Sequence, residues 1–178
     1  MTFTKIGFLG GFRFEDGAST RGAMLVTDHD LKPAEFRVTA PVKPNSLQKM
    51  LYGELLDEHI YIKLLGVPLL NALEQKPDVV IVSENIFLGL NQEQGIPTVC
   101  LLNEEESLIP KGVPNKTITS ETQNYPSVKV SISNNLTKQL EDISSELQVI
   151  FRSRNLMEPF YRLHKACTDL HASGKAQV

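Results

Sequence analysis

Between Phe8 and Gly22 the chain reads FLGGFRFEDGASTRG, with four glycines and two arginines directly after an apolar run. A loop of this composition could cradle a phosphate if it led into a helix carrying the right partners. A Walker-type loop needs a lysine followed by Ser or Thr at the helix start, and no lysine lies between Phe8 and Gly22. A dinucleotide fingerprint needs GxGxxG opening a helix, whereas the glycines fall at 10, 11, 17 and 22 and strand-like Ala23 to Val26 follows. The stretch therefore predicts a bend between two strands, with Gly10 and Gly11 kinking or bulging the first one. Arg13 and Arg21, joined by Arg37 from the next strand, are expected to gather at one sheet end as contacts for an acidic partner or a nucleic-acid backbone.

The other reactive groups are scattered. Asp28, His29 and Asp30 form DHD, which could hold a cation but reads as a polar turn. Glu84 follows an apolar strand, and Glu104 to Glu106 follow another, a common place for active-site groups in α/β sheets. His59 has no HExxH partner, His164 falls in a helical pattern, and there is no GxSxG elbow. Cys100 and Cys167 read as small core residues, and no Cys/His spacing suggests zinc. No cofactor is expected.

The elements that must position these groups follow from hydrophobic periodicity. KIGFLGGF, GAMLVTD and AEFRVTA predict an antiparallel meander, with DHDLKP as a hairpin turn. Asn45 or Ser46 caps a helix that runs to about Leu65, where Gly66 and Pro68 end it before a short helix through PLLNALEQ. The run Val79 to Val82 and the run Thr98 to Leu102 predict strands buried on both faces. Residues 104–125 predict a long surface loop, and SVKVSIS an edge or half-exposed strand. The segment 134–172 is helical, and in it Leu136, Leu140, Ile143, Leu147 and Ile150 make a narrow seam suited to self-association or docking. The expected fold is α/β or α+β in one domain spanning 1–178. It would have a mixed sheet with an antiparallel N-terminal meander, central buried strands, covering helices and C-terminal helices.

A net charge of −3 and a pI near 5.8 lack the basic excess of a long nucleic-acid footprint. No signal peptide or membrane-length apolar segment is evident, so a cytoplasmic location is expected.

The order of three antiparallel strands, a helix and then buried strands resembles that of the ribonuclease H-like superfamily. The stretch GVPLLNALEQKPDVVIVSE (Gly66 to Glu84) with GIPTVCLL (Gly95 to Leu102) is similar to the corresponding part of endonuclease V proteins, and the likeness spans about residues 5–103. The resemblance implies metal-assisted phosphodiester hydrolysis, with an aspartate on the first strand and further acids at later strand ends. Glu84 stands where a fourth-strand acid is expected. Ile6 to Phe12 holds no acid, and Glu15 and Asp16 come too late to replace it. The main functional expectation is therefore a non-catalytic binding or assembly module, a homo-oligomer or a subunit of a larger complex. The alternative is a metal-dependent hydrolase or nuclease acting on nucleic acid, with Glu84, Asp28, Asp30 or the Glu104 to Glu106 acids holding the ion.

Overall fold

The computed structural model describes residues 2–106, 108–122 and 125–174. One seven-stranded mixed sheet organises them. Its strands are β1 (Ile6–Phe14), β2 (Ser19–Thr27), β3 (Pro33–Val38), β4 (Val79–Val82), β5 (Thr98–Asn103), β6 (Asn115–Ile118) and β7 (Val128–Ile132), in the order β3-β2-β1-β4-β5-β7-β6. β1, β4 and β5 run parallel, and the other pairings are antiparallel. The apolar Val79 to Val82 run is buried on both faces, as its lack of alternation predicts.

Helical layers cover the two faces. On one lie α4 (Leu140–Phe151) and α5 (Glu158–Ala172), closing a core that includes Phe8, Leu25, Ile81, Val99 and Val130. On the other, a helical run continues from Leu56 to Ala72. It comprises the turn α2 (Leu56–Glu58), a π-helical segment His59–Gly66 and α3 (Val67–Ala72), followed by the 3₁₀ segment Asn85–Gln92. These pack Tyr61, Leu65, Leu69, Phe87 and Leu90 on Leu9, Met24 and Val80.

Four local expectations are corrected. Gly10 and Gly11 make no bulge, because β1 pairs with β2 without a register shift from Ile6↔Thr27 to Phe14↔Ser19. What these glycines provide is space: a Cβ on Gly10 would sit 2.6 Å from the Phe12 ring, and one on Gly11 2.6 Å from Tyr61 Cε1. Gly66 and Pro68 do not end the helix. A Cβ on Gly66 would lie 2.8 Å from Leu90, so glycine admits that side chain. Pro68 falls at the first turn of α3, where its missing N–H is tolerated. The 104–125 stretch is not all loop, since β6 lies within it. SVKVSIS is thus an inner strand, β7, with β6 taking the sheet edge.

The fourth correction concerns the seam. Ile143, Leu147 and Ile150 are buried on the chain's own sheet, with Leu136 and Leu140 packed beside them. The apolar stripe that is exposed belongs instead to α1 (Ser46–Tyr52). Leu47, Met50 and Leu51 are 59, 72 and 75% exposed, and no residue of that helix is buried. Asn45 caps it reciprocally with Gln48, completing a capping box.

Candidate functional site

β1 and β4 are neighbours in the sheet but not in sequence, because the chain first builds β2 and β3 on the far side of β1. Their carboxyl ends therefore carry segments leaving in opposite directions, the topological switch point at which open α/β sheets commonly bind ligands. β1 also outruns β4. The pairing stops at Leu9↔Val82, so Gly10 to Phe14 project past the β4 end. Over this projecting stretch the chain gathers Glu84, Tyr61, Arg13 and Asp57.

Glu84 lies two residues beyond β4, half-buried, and its Oε1 accepts a hydrogen bond from the Gly11 backbone N–H at 3.3 Å. The Tyr61 hydroxyl lies near this carboxylate and favours its charged form. Burial pushes the Glu84 pKa up, and the Gly11 hydrogen bond, the nearby Tyr61 hydroxyl and the Arg13 charge offset this only in part. Tyr61 is brought here by the π-helical segment, whose wider turns are commonly found at functional sites. Its buried ring is 5.1 Å from that of Phe87 and fills the space above Gly11.

Arg13 completes the group. Its Nε donates to the Tyr61 hydroxyl oxygen at 3.4 Å, its Nη2 lies 3.1 Å from Asp57 Oδ2, and its Cζ is 5.9 Å from the Tyr61 ring centroid. The hydrogen bond to Tyr61, and then that to Asp57, raise the Arg13 pKa further, so the guanidinium stays charged. Arg13 and Asp57 are half exposed, so their ion pair contributes little to stability and is readily exchanged for another anion. The result is a row of guanidinium, phenol and carboxyl, one end open to solvent and the other desolvated.

The remaining expected site residues lie elsewhere. Asp28 and Asp30 sit in the turn after β2, and Thr27 pairs with Ile6 at the start of β1, so they occupy the opposite end of the sheet from Glu84. The Asp28 carboxylate accepts from the Asp30 and Lys32 backbone N–H groups, both at 2.9 Å. This fixes the turn and, through Lys32 first, lowers its pKa. Arg21 is 1% exposed and donates through Nε to the Thr39 carbonyl at 3.0 Å, so it is no surface contact. Arg37 pairs with Glu35 at 2.7 Å and Glu74 at 3.5 Å, holding β3 to the segment before β4. The three arginines therefore do not cluster. Glu104 and Glu105 are exposed beyond β5, and the Glu106 side chain lies outside the described residues. Sequence reading missed Tyr61 and Asp57, although their i, i+4 spacing places them on one helix face.

The residues do not fit a two-metal centre. Such a centre needs carboxylates converging on two ions. Glu84 faces a β1 stretch without an acid, and no group of three His, Cys, Asp or Glu side chains among the described residues could hold a metal ion.

No protein-family model and no curated protein sequence matches this chain. Solved structures do. Endonuclease V from Streptomyces avermitilis aligns at a TM-score of 0.63 and 12% identity, covering 99% of this chain and 86% of that one. The enzyme from Bacillus subtilis aligns at 0.55 and 14%, covering 96% and 83%. That from Ciona intestinalis, in complex with a 24mer DNA containing an inosine followed by a ribo-adenosine, aligns at 0.57 and 13%, covering 97% and 88%. The expectation of a non-catalytic assembly module is overturned. The three aligned structures are those of endonuclease V enzymes, and the seam offered for assembly lies inside the core. The chain shares the ribonuclease H-like fold of these endonuclease V structures.

Proposed function

We propose that the chain acts on nucleic acid, hydrolysing a phosphodiester at the carboxyl ends of β1 and β4. One observation carries the reading: in this fold, Tyr61 lies between the half-buried Glu84 carboxyl and the Arg13 guanidinium beyond the ends of those strands. Arg13 is placed to pair with a phosphate oxygen, a charge-assisted contact that Arg makes in bidentate fashion. Glu84 is the proton acceptor. As a water oxygen bonds to phosphorus, its proton passes to Glu84 and the ester P–O bond breaks, with the leaving oxygen protonated from solvent. A raised carboxyl pKa makes a stronger base near neutral pH. Tyr61 is a positioning residue that orients the carboxyl. No step is assigned to a metal, because the residues do not fit one.

The test is incubation of the purified chain with end-labelled DNA and RNA oligonucleotides, with and without a single inosine, followed by denaturing gel analysis. Cleavage that disappears in Glu84→Gln while oligonucleotide binding persists is the expected result. Cleavage unchanged by Glu84→Gln, or no cleavage of any substrate, refutes the proposal.

A further inference from the structure

We infer that this site engages the nucleic-acid phosphate through a cation of its own, Arg13, just beyond the place where a metal pair would need its first-strand carboxylate; the inference rests on the function proposed above.

Three β1 positions lie at or just beyond the β4 end, and each is closed to an acid facing Glu84. Leu9 is fully buried in the core on the π-helical side. A Cβ at Gly10 would meet the Phe12 ring at 2.6 Å. A Cβ at Gly11 would meet Tyr61 Cε1 at 2.6 Å, closer than real Cβ contacts come. The Gly11 N–H is already committed to Glu84, so backbone and carboxyl are drawn together with no gap for an ion between them. The space is taken by protein, and the first positive charge beyond it is Arg13.

Arg13 is built in rather than adventitious. It emerges from the rigid β1–β2 pair and is held by the Tyr61 hydroxyl at 3.4 Å and the Asp57 carboxylate at 3.1 Å. An incoming phosphate competes only with the exposed Asp57 contact, while the Tyr61 contact continues to aim the guanidinium. Phosphate recognition here is therefore independent of divalent cations and falls with salt as a charge contact does.

The experiment measures binding of a fluorescein-labelled oligonucleotide by anisotropy in EDTA and in magnesium or manganese, beside calorimetric titration with manganese chloride alone. The proteins compared are the wild type, Glu84→Gln, Arg13→Ala, Arg13→Lys and Arg152→Ala. The last removes an arginine of similar exposure on the opposite face of the sheet. The wild type should bind equally in EDTA and magnesium and show no manganese heat. Arg13→Ala should bind about tenfold more weakly, the loss expected of one hydrogen-bonded charge. Arg13→Lys should fall between, and Arg152→Ala should match the wild type. Binding that requires the divalent ion, a manganese heat abolished by Glu84→Gln, or equal weakening by Arg13→Ala and Arg152→Ala overturns the inference and the metal-free mechanism, while Glu84-dependent phosphodiester cleavage itself would still stand. No oligonucleotide binding by the wild type in any buffer overturns the proposed function itself.

Discussion

The contact between Gly11 and Tyr61 offers the sharpest test of the site geometry. Gly11→Ala places a Cβ 2.6 Å from Tyr61 Cε1, and the ring cannot retreat freely because it is buried and packed on Phe87. Inserting a methyl into a filled site costs about 1–3 kcal/mol. Alanine regains roughly 0.5–1 kcal/mol over glycine in a strand. The net loss is then about 0–2.5 kcal/mol and centred near 1 kcal/mol, where it lowers Tm by about 2–4 °C for a chain of this size. The chain has no tryptophan, so urea denaturation is best followed by far-ultraviolet circular dichroism. A double-mutant cycle isolates the clash. Tyr61→Ala alone should cost about 3–5 kcal/mol, by analogy with other buried aromatic truncations. In that background Gly11→Ala should be neutral or mildly stabilising, giving a coupling of about 1 kcal/mol or more. Strictly additive effects in this cycle would refute the argument that the ring fills the space above β1.

Other outcomes follow from the same structure. Burial raises the Glu84 pKa in the folded chain above its unfolded value, so the folded state binds this proton more tightly. Its stabilising contribution is complete below the unfolded pKa and is lost as pH rises through the raised folded one. Glu84→Gln should therefore be more stable than the wild type at neutral pH, with the two melting curves converging below the ordinary glutamate range. An unchanged gap across pH would contradict this. Leu147→Ala should cost about 2–5 kcal/mol as a fully buried truncation, and Leu51→Ala within about 0.5 kcal/mol of nothing. Equal effects by urea denaturation would mean that the two seams are misassigned. Burial lifts the Cys100 and Cys167 thiols to about 12 and about 11, so Ellman's reagent should leave both unmodified until the chain unfolds.

The sheet was largely legible from the sequence, because runs such as Val79 to Val82 and the alternation in SVKVSIS report burial directly. The position of SVKVSIS in the sheet was not. β6 has the polar sequence NKTI, with only Ile118 buried, and carries no apolar signal of its own. The glycines misled for a related reason. Gly10 and Gly11 look like backbone punctuation, yet their purpose is room for the rings of Phe12 and Tyr61, which lie two and fifty residues away. Glu84 could be read from its place after a buried strand. Asp28 and Asp30 could not be separated from it by spacing, since only strand direction puts them at opposite ends. Arg21 sits beside Arg13 on neighbouring paired strands, but pleating sends it to the α5 side near Cys167 while Arg13 faces Tyr61.

The exposed helix α1 has a consequence for how the molecule opens. A seven-residue helix is far too short to hold itself together in water, and with no buried side chain it draws almost nothing from the core. Its amide protons should exchange through a small local opening, while those of β1 and β2 wait for global unfolding. The boundary between the two regimes falls between Leu55, which is 65% exposed, and Ile60, which is 4% exposed. Asp57 lies on that boundary and Tyr61 just inside it. The carboxylate that holds Arg13 can thus be released by a fluctuation costing a small part of the folding free energy, with the phenol and Glu84 unmoved. Slow exchange along 46–52 would show instead that the whole rim of the site opens only when the sheet does.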